Sequence, residues 1–181
     1  MRPTGADIHV RDGFLSPGEC AEYIALAERE GFSPATVSLP EGARWIPEIR
    51  NNQRVDIESE SIAANLFVRA KPLLPICDGL EAIGLNPHIK VYRYASGERF
   101  NRHRDGVVKL TGRKSVLSFL IYLNSDFQGG KTSFAETSVT PATGRLLMFK
   151  HALKHKGERV EAGLKYVLRS DVMYPAPPAV G

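Results

Sequence analysis

The sequence predicts an α+β fold with helices packed outside an antiparallel β-sandwich. Three observations point there. Helix start and stop signals are confined to the N-terminal half, and from Asn86 onward the texture turns to short β-rich runs separated by glycine-bearing turns. A chain of 181 residues with 43% hydrophobic content also suits one core rather than two. The expected organisation is one domain over residues 1–175, with its core at about 86–174. The final "APPAVG", 176–181, has little to bury and reads as a disordered tail.

The first helix is written in "SPGECAEYIALAEREGF": Ser16 is the N-cap, Pro17 the first helical residue, Glu19 completes a capping box and Gly31 closes the helix. The stretch "RWIPEIRNNQRVDI" adds a strand. A second helix follows in "SESIAANLFVRAKPLL", with Ile62, Leu66 and Phe67 on one stripe, stopping before Pro75. Four further runs, "HIKVYRY", "SVLSFLIYLN", "GRLLMFKHAL" and "KYVLRSDVMY", carry the period-two patterning of sandwich or barrel strands. A ligand site in such a fold lies at the barrel mouth.

Composition narrows the function classes. The sequence has no apolar run of signal-peptide or membrane-span length, so a soluble, cytoplasmic chain without membrane partners is expected. Its two cysteines, Cys20 and Cys77, have neither metal nor redox spacing and read as reduced thiols. Net charge is +4 and the isoelectric point about 9.1, yet Lys and Arg are scattered among acids without interleaved aromatics. Nucleic acid is therefore not indicated as a partner, whereas a mildly positive field favours small anions. Nothing in the sequence sets the oligomeric state.

The chemistry begins at "NRHRDG". Residues two apart in an extended segment project to one side, so His103 and Asp105 can converge on one point, which suits a metal ion. A third ligand is required, and His151 and His155 both stand on one parity of a downstream strand. Two imidazoles and one carboxylate on one face of a divalent ion form the arrangement associated with non-haem Fe(II), with zinc as the rival. Lys165, ten residues after His155, shares a strand face with Val167, Arg169 and Asp171, and a buried lysine needs an anion. Tyr122 shares a face with Leu120 and Ser118 and can donate a hydroxyl bond to the same anion.

Taken in order, "YRYASGERFNRHRDG", "SVLSFLIYLNSDFQGGKTSF" and "VTPATGRLLMFKHALKHKGERVEAGLKYVLRSDVMY" resemble the 2-oxoglutarate and Fe(II)-dependent dioxygenases of the prolyl 4-hydroxylase type, over roughly the C-terminal half. The resemblance implies a double-stranded β-helix (a jelly-roll, cupin-like sandwich) in which His103, Asp105 and His155 bind Fe(II). It implies that Lys165 holds the far carboxylate of 2-oxoglutarate with help from Tyr122, and that Tyr94 lines the co-substrate pocket. Arg169 competes with Lys165 for that carboxylate. By the same resemblance, O2 is the oxidant, ascorbate a supporting reductant, and Arg50, Asn52 and Arg54 face substrate. The implied reaction hydroxylates an unactivated C–H bond of a prolyl-type peptidyl side chain or a small metabolite, releasing succinate and CO2. Two other readings stand beside it: a non-catalytic module that senses metal and 2-oxoglutarate, and a nucleic-acid demethylase on the same scaffold.

Overall fold

A computed structural model describes residues 2–3 and 7–176, so all of the expected tail but Ala176 lies outside the described residues. Strands β1 (Arg2–Pro3) and β2 (Ile8–Arg11) precede helix α1 (Pro17–Glu30). Then β3 (Ser33–Pro34), the hairpin β4 (Val37–Leu39) and β5 (Gly42–Arg44), and β6 (Gln53–Glu58) lead to α2 (Glu60–Ala70). The rest is β: β7 (Gly84–Leu85), β8 (His88–Tyr94), β9 (Phe100–His103), β10 (Lys109–Leu110), β11 (Arg113–Tyr122), β12 (Gln128–Gly129), β13 (Thr132–Ser133), β14 (Ser138–Val139), β15 (Leu146–Lys150), β16 (His155–Gly157), β17 (Val160–Ala162) and β18 (Lys165–Pro175).

Helix α1 starts as its sequence dictates. The Ser16 hydroxyl accepts the Glu19 N–H at 3.2 Å, and the Glu19 carboxylate accepts the Ser16 N–H at 2.7 Å. Ser59 caps α2 by accepting the Ile62 N–H at 3.2 Å. This second helix is shorter than expected: it ends at Ala70 and passes into a 3-10 turn over Lys71–Leu73. Pro72, which has no N–H to continue the α-helical ladder, accounts for the early stop.

Among the described residues the larger sheet runs β1-β2-β15-β11-β18-β8-β6-β3, with β10 on β11 and β7 on β18. The smaller runs β14-β13-β16-β9. From β8 onward the chain passes back and forth between these two antiparallel sheets, with β12 and β17 forming a separate two-stranded pair, and this is the double-stranded β-helix. The larger sheet is covered on both faces, so its strands read as nearly continuous apolar runs. Leu117, Phe119 and Ile121 of β11 face the core shared with α1 and α2, while Leu120 and Tyr122 face the space between the sheets. On β18, Leu168 and Val172 join the first core and Val167 the second. Each fully buried Leu, Phe or Ile contributes about 1.5–3 kcal/mol to holding these layers together.

One expected strand is interrupted. β15 stops at Lys150, His151 falls in a turn, and His155 opens β16 in the other sheet. His151 and His155 therefore do not share a strand face, because the chain crosses between the sheets at this point. The stretch proposed as a strand around Arg50 is likewise extended only from Gln53, preceded by a turn that touches β9 through a bridge between Arg50 and Phe100.

Candidate active site

The antiparallel pairing of β9 with β16 sets His103 directly opposite His155, with ring centres 4.3 Å apart. Asp105 lies beyond the end of β9 and turns inward until its carboxylate is 4% exposed. His103 Nε2 is 3.4 Å from Asp105 Oδ1, and His155 Nε2 is 3.7 Å from Asp105 Oδ2. One ligand atom from each of the three residues lies within 4.8 Å of the others. Each imidazole is held by its other nitrogen, since His103 Nδ1–H donates to the Asn101 carbonyl at 2.7 Å and His155 Nδ1–H to the Leu153 carbonyl at 3.0 Å. That fixes the tautomer and leaves both Nε2 lone pairs aimed at a common point, as metal-ligating histidines require. Phe100 stacks on the His103 ring at 3.5 Å between centres, and Phe149 meets His155 edge-on at 4.5 Å.

The protonation states also fit a metal. Burial drives the His155 imidazole down to about 4, so it is neutral at physiological pH despite the opposing Asp105 charge. Burial alone would raise Asp105; the Arg169 guanidinium and the bond from the Ser118 hydroxyl oppose it, and the carboxyl is held well below its ordinary range. Two imidazole nitrogens and an ionised carboxylate, with the opposite side open to the cleft, are the donor set of a 2-His-1-carboxylate iron centre.

Two cations from β18 line the same cleft, and the structure gives them different surroundings. Arg169 Nη1 forms an ion pair with Asp105 Oδ1 at 3.1 Å and Nη2 donates to Asp171 Oδ1 at 3.3 Å, so its charge is already shared between two carboxylates. Lys165 is 3% exposed, and its Nζ donates to the Gly130 carbonyl at 2.6 Å. Among the described residues no carboxylate lies within ion-pair distance of it. Burial lowers its ammonium to about 7, with Glu158 opposing from farther off. Lys165 is thus the cation in this cleft that lacks an anion, as a dicarboxylate anchor should be.

Tyr94 and Tyr122 wall this end of the cleft. Their ring centres are 5.0 and 5.7 Å from Lys165 Nζ. The Tyr122 hydroxyl, expected to serve an anion directly, donates instead to Thr132 Oγ1 at 2.7 Å, leaving the Thr132 hydroxyl proton for a ligand.

The three residues expected to face substrate separate. Arg50, 4% exposed, lies with its guanidinium carbon 4.1 Å from the Phe100 ring centre and 4.9 Å from that of Tyr92, two residues of the cleft wall. Its Nε donates to Asn52 Oδ1 at 3.1 Å, so the fully buried Asn52 braces it, and its Nη2 has no hydrogen-bond partner among the described residues. Arg54 is not brought to the cleft and pairs with Asp56 at 2.7 Å. Strict alternation holds only inside a strand, and Arg50 and Asn52 precede β6.

Sequence reasoning missed Phe100, Gly130 and Thr132, which shape the cleft through ring stacking, a carbonyl and a hydroxyl. The paired glycines of "FQGG" signalled a turn near Lys165 only once the pairing of strands was known. Among the described residues no helix is long and apolar enough to cross a membrane.

Comparison with known proteins agrees with this geometry. Residues 89–170 match the 2OG-Fe(II) oxygenase superfamily. No curated protein matches the chain in sequence. Among solved structures, the 2OG complex of the viral collagen prolyl hydroxylase from Paramecium bursaria Chlorella virus-1 is similar with a TM-score of 0.67 and 20% identity, covering 95% of this chain and 98% of that one. A prolyl-4-hydroxylase from Pseudomonas putida gives 0.68 at 20% identity over 92% of each chain. The Trichoplax adhaerens prolyl hydroxylase, in complex with a hypoxia inducible factor oxygen degradation domain peptide, gives 0.68 at 18% identity, covering 92% of this chain and 83% of that one. With the family match spanning the segment that holds His103, Asp105 and His155, the protein is a 2-oxoglutarate-dependent oxygenase that uses Fe(II), 2-oxoglutarate and O2, on the fold of the prolyl 4-hydroxylases.

Proposed function

We propose that this oxygenase hydroxylates an unactivated C–H bond of a prolyl-type peptidyl side chain, with His103, Asp105 and His155 holding Fe(II) and Lys165 holding the far carboxylate of 2-oxoglutarate. The observation that carries the reading is the presence, in one cleft, of two aimed imidazole nitrogens, an ionised carboxylate and a buried ammonium without an anion. The reaction balances as R–H + 2-oxoglutarate + O2 → R–OH + succinate + CO2, one oxygen atom entering each of the hydroxylated product and succinate. When bound, iron and its keto acid supply the activation of O2.

The chain's own residues do the rest. Lys165 fixes the co-substrate's distal end, with the Thr132 hydroxyl beside it and Tyr94 and Tyr122 walling it in. Arg169, already shared between Asp105 and Asp171, orients the metal carboxylate rather than the co-substrate. Phe100, Leu120 and Val167 keep water from the reacting centre. Arg50 supplies a guanidinium N–H for a substrate carbonyl, braced by Asn52. A peptide is favoured because one structural neighbour holds a peptide. A small metabolite is the second reading, and the same free N–H favours one that carries a carboxylate. Residues 1–175 act as one domain in this reading, within a reducing cytoplasm suited to the buried free thiols of Cys20 and Cys77.

Anaerobic addition of Fe(II) and 2-oxoglutarate should give the weak visible charge-transfer band of the chelate, and air with substrate should release succinate. Proline-containing peptides and free amino acids compared in that assay separate the two substrate classes. A His103→Ala or Asp105→Ala protein that kept both the band and turnover would remove the metal assignment.

A further inference from the structure

Asp105 rides on an irregular segment, residues 104–108, between β9 and β10, with no ladder of its own to hold it. A run of one backbone N–H and three buried side chains supports it from behind. The Val108 N–H donates to Ser115 Oγ at 2.8 Å, Ser115 Oγ lies 2.9 Å from His151 Nε2, and His151 Nδ1 lies 2.9 Å from Ser118 Oγ. Ser118 in turn donates its hydroxyl proton to Asp105 Oδ2.

With His151 neutral, the state its burial favours even with Asp171 Oδ1 3.9 Å from Nε2, one arrangement of protons satisfies every member. Asp105 is ionised and can only accept, so the Ser118 proton must point to it. Ser118 Oγ then accepts from His151 Nδ1–H, which leaves Nε2 bare to accept the Ser115 proton. Ser115 Oγ is free to accept the Val108 amide. The run therefore has a direction, from a backbone N–H to a carboxylate, and both ends lie on the 104–108 segment. Ser115, Ser118 and His151 are 1%, 0% and 4% exposed, so none has water as an alternative partner. Packing alone does not call for an imidazole here, since an apolar side chain would fill the space without polar atoms to satisfy.

Building on the reading of His103, Asp105 and His155 as the metal ligands, we infer that His151 is a positioning residue. It holds Ser118, and through Ser118 the Asp105 carboxylate, in the orientation that completes the metal site. Arg169 fixes the other carboxylate oxygen, so Asp105 is gripped on both sides. Partners of this kind behind a ligand typically contribute about 10- to 100-fold to metal affinity.

The test uses Co(II) as the probe, read by its visible d–d bands and by titration of the full chain, with melting of the metal-free protein as a check on folding. Ser118→Ala, which removes one oxygen, and His151→Leu should bind Co(II) at least about tenfold more weakly and with altered bands. His151→Asn, whose amide N–H can stand where Nδ1–H stands, should keep near wild-type affinity. If Ser118→Ala binds Co(II) with the wild-type affinity and spectrum while Asp105→Ala loses it, the positioning role is overturned and the ligand set survives. If Asp105→Ala binds Co(II) as well as the wild type, the ligand set itself falls. Ser118→Ala decides the matter even where a His151 variant does not fold.

Discussion

Lys165 stands opposite Tyr94 across the ladder between β18 and β8, with its ammonium 5.0 Å from the ring centre and bonded to the Gly130 carbonyl at 2.6 Å. Its polar partner is a neutral carbonyl, so the free protein keeps this amine at about 7, against an ordinary value of 10.5, because burial penalises the charge.

Binding a carboxylate should restore the charge and take up a proton. The affinity for 2-oxoglutarate should thus fall as pH rises above about 7, by up to about tenfold per pH unit. Stability of the ligand-free protein carries the opposite sign. Between about 7 and 10.5 the unfolded chain binds the extra proton, so this group's contribution grows with pH there and is lost as pH falls through 7. Titration of the Co(II) protein with 2-oxoglutarate from pH 6.5 to about 9 tests the first statement. Lys165→Met should weaken binding by about 10- to 100-fold, the worth of a charge-assisted bond, and flatten the profile. A pH dependence that persists in Lys165→Met would assign it to another group.

Gly130 is fixed by that amine's geometry. Its φ is +65°, and a Cβ there would stand 3.0 Å from Phe127 and 3.1 Å from Lys165 Cδ. Gly130→Ala should cost about 1–2 kcal/mol through the left-handed backbone alone. It should also displace the lysine stem, raising the KM for 2-oxoglutarate more than the KM for the oxidised substrate. Denaturant unfolding and steady-state kinetics read the two effects separately.

Much of this site was legible in the sequence because its groups sit on regular strands. Lys165, Val167 and Arg169 share the cleft-facing side of β18, as their spacing required, and so do Ser118, Leu120 and Tyr122 of β11. The capped ends of α1 were equally readable, since Ser16 and Glu19 satisfy each other locally. Failures came where regularity ended. Parity places His151 and His155 on one strand face, but a turn separates them, and Arg50, Asn52 and Arg54 straddle the start of β6. The different surroundings of Lys165 and Arg169 were hidden for another reason: they depend on Asp105, more than sixty residues away in the chain, which only folding brings against the guanidinium.

That pairing has a cost when Asp105 is removed. Arg169 is buried in contact with Asp105 and Asp171, so Asp105→Ala leaves it with one carboxylate and the Ser118 hydroxyl with no acceptor. The metal-free protein should lose about 3 kcal/mol, near the low end for breaking a buried pair because Asp171 remains. His103→Ala gives up mainly its stacking on Phe100 and should lose about 1 kcal/mol. Urea unfolding of the metal-stripped variants measures both, and equal losses would contradict the role given to Arg169.

Arg50 should show the reverse balance, with little stability and much binding at stake. Its buried Nη2 has no partner among the described residues, and leaving a buried donor unsatisfied costs about 1–3 kcal/mol, which offsets the stacking on Tyr92 and Phe100 and the bond to Asn52. Arg50→Met keeps the apolar stem between the two rings and removes the orphaned donor, so its stability should stay within about 1 kcal/mol of the wild type. If a substrate carbonyl or carboxylate is what satisfies that N–H, the KM for substrate should rise by about tenfold or more, since a bond to a charged group is worth about 1.5–3 kcal/mol. The KM for 2-oxoglutarate should move far less if, as proposed, Lys165 anchors that molecule. A large loss of stability with an unchanged substrate KM would make Arg50 a structural residue of the cleft wall and leave substrate recognition to other groups.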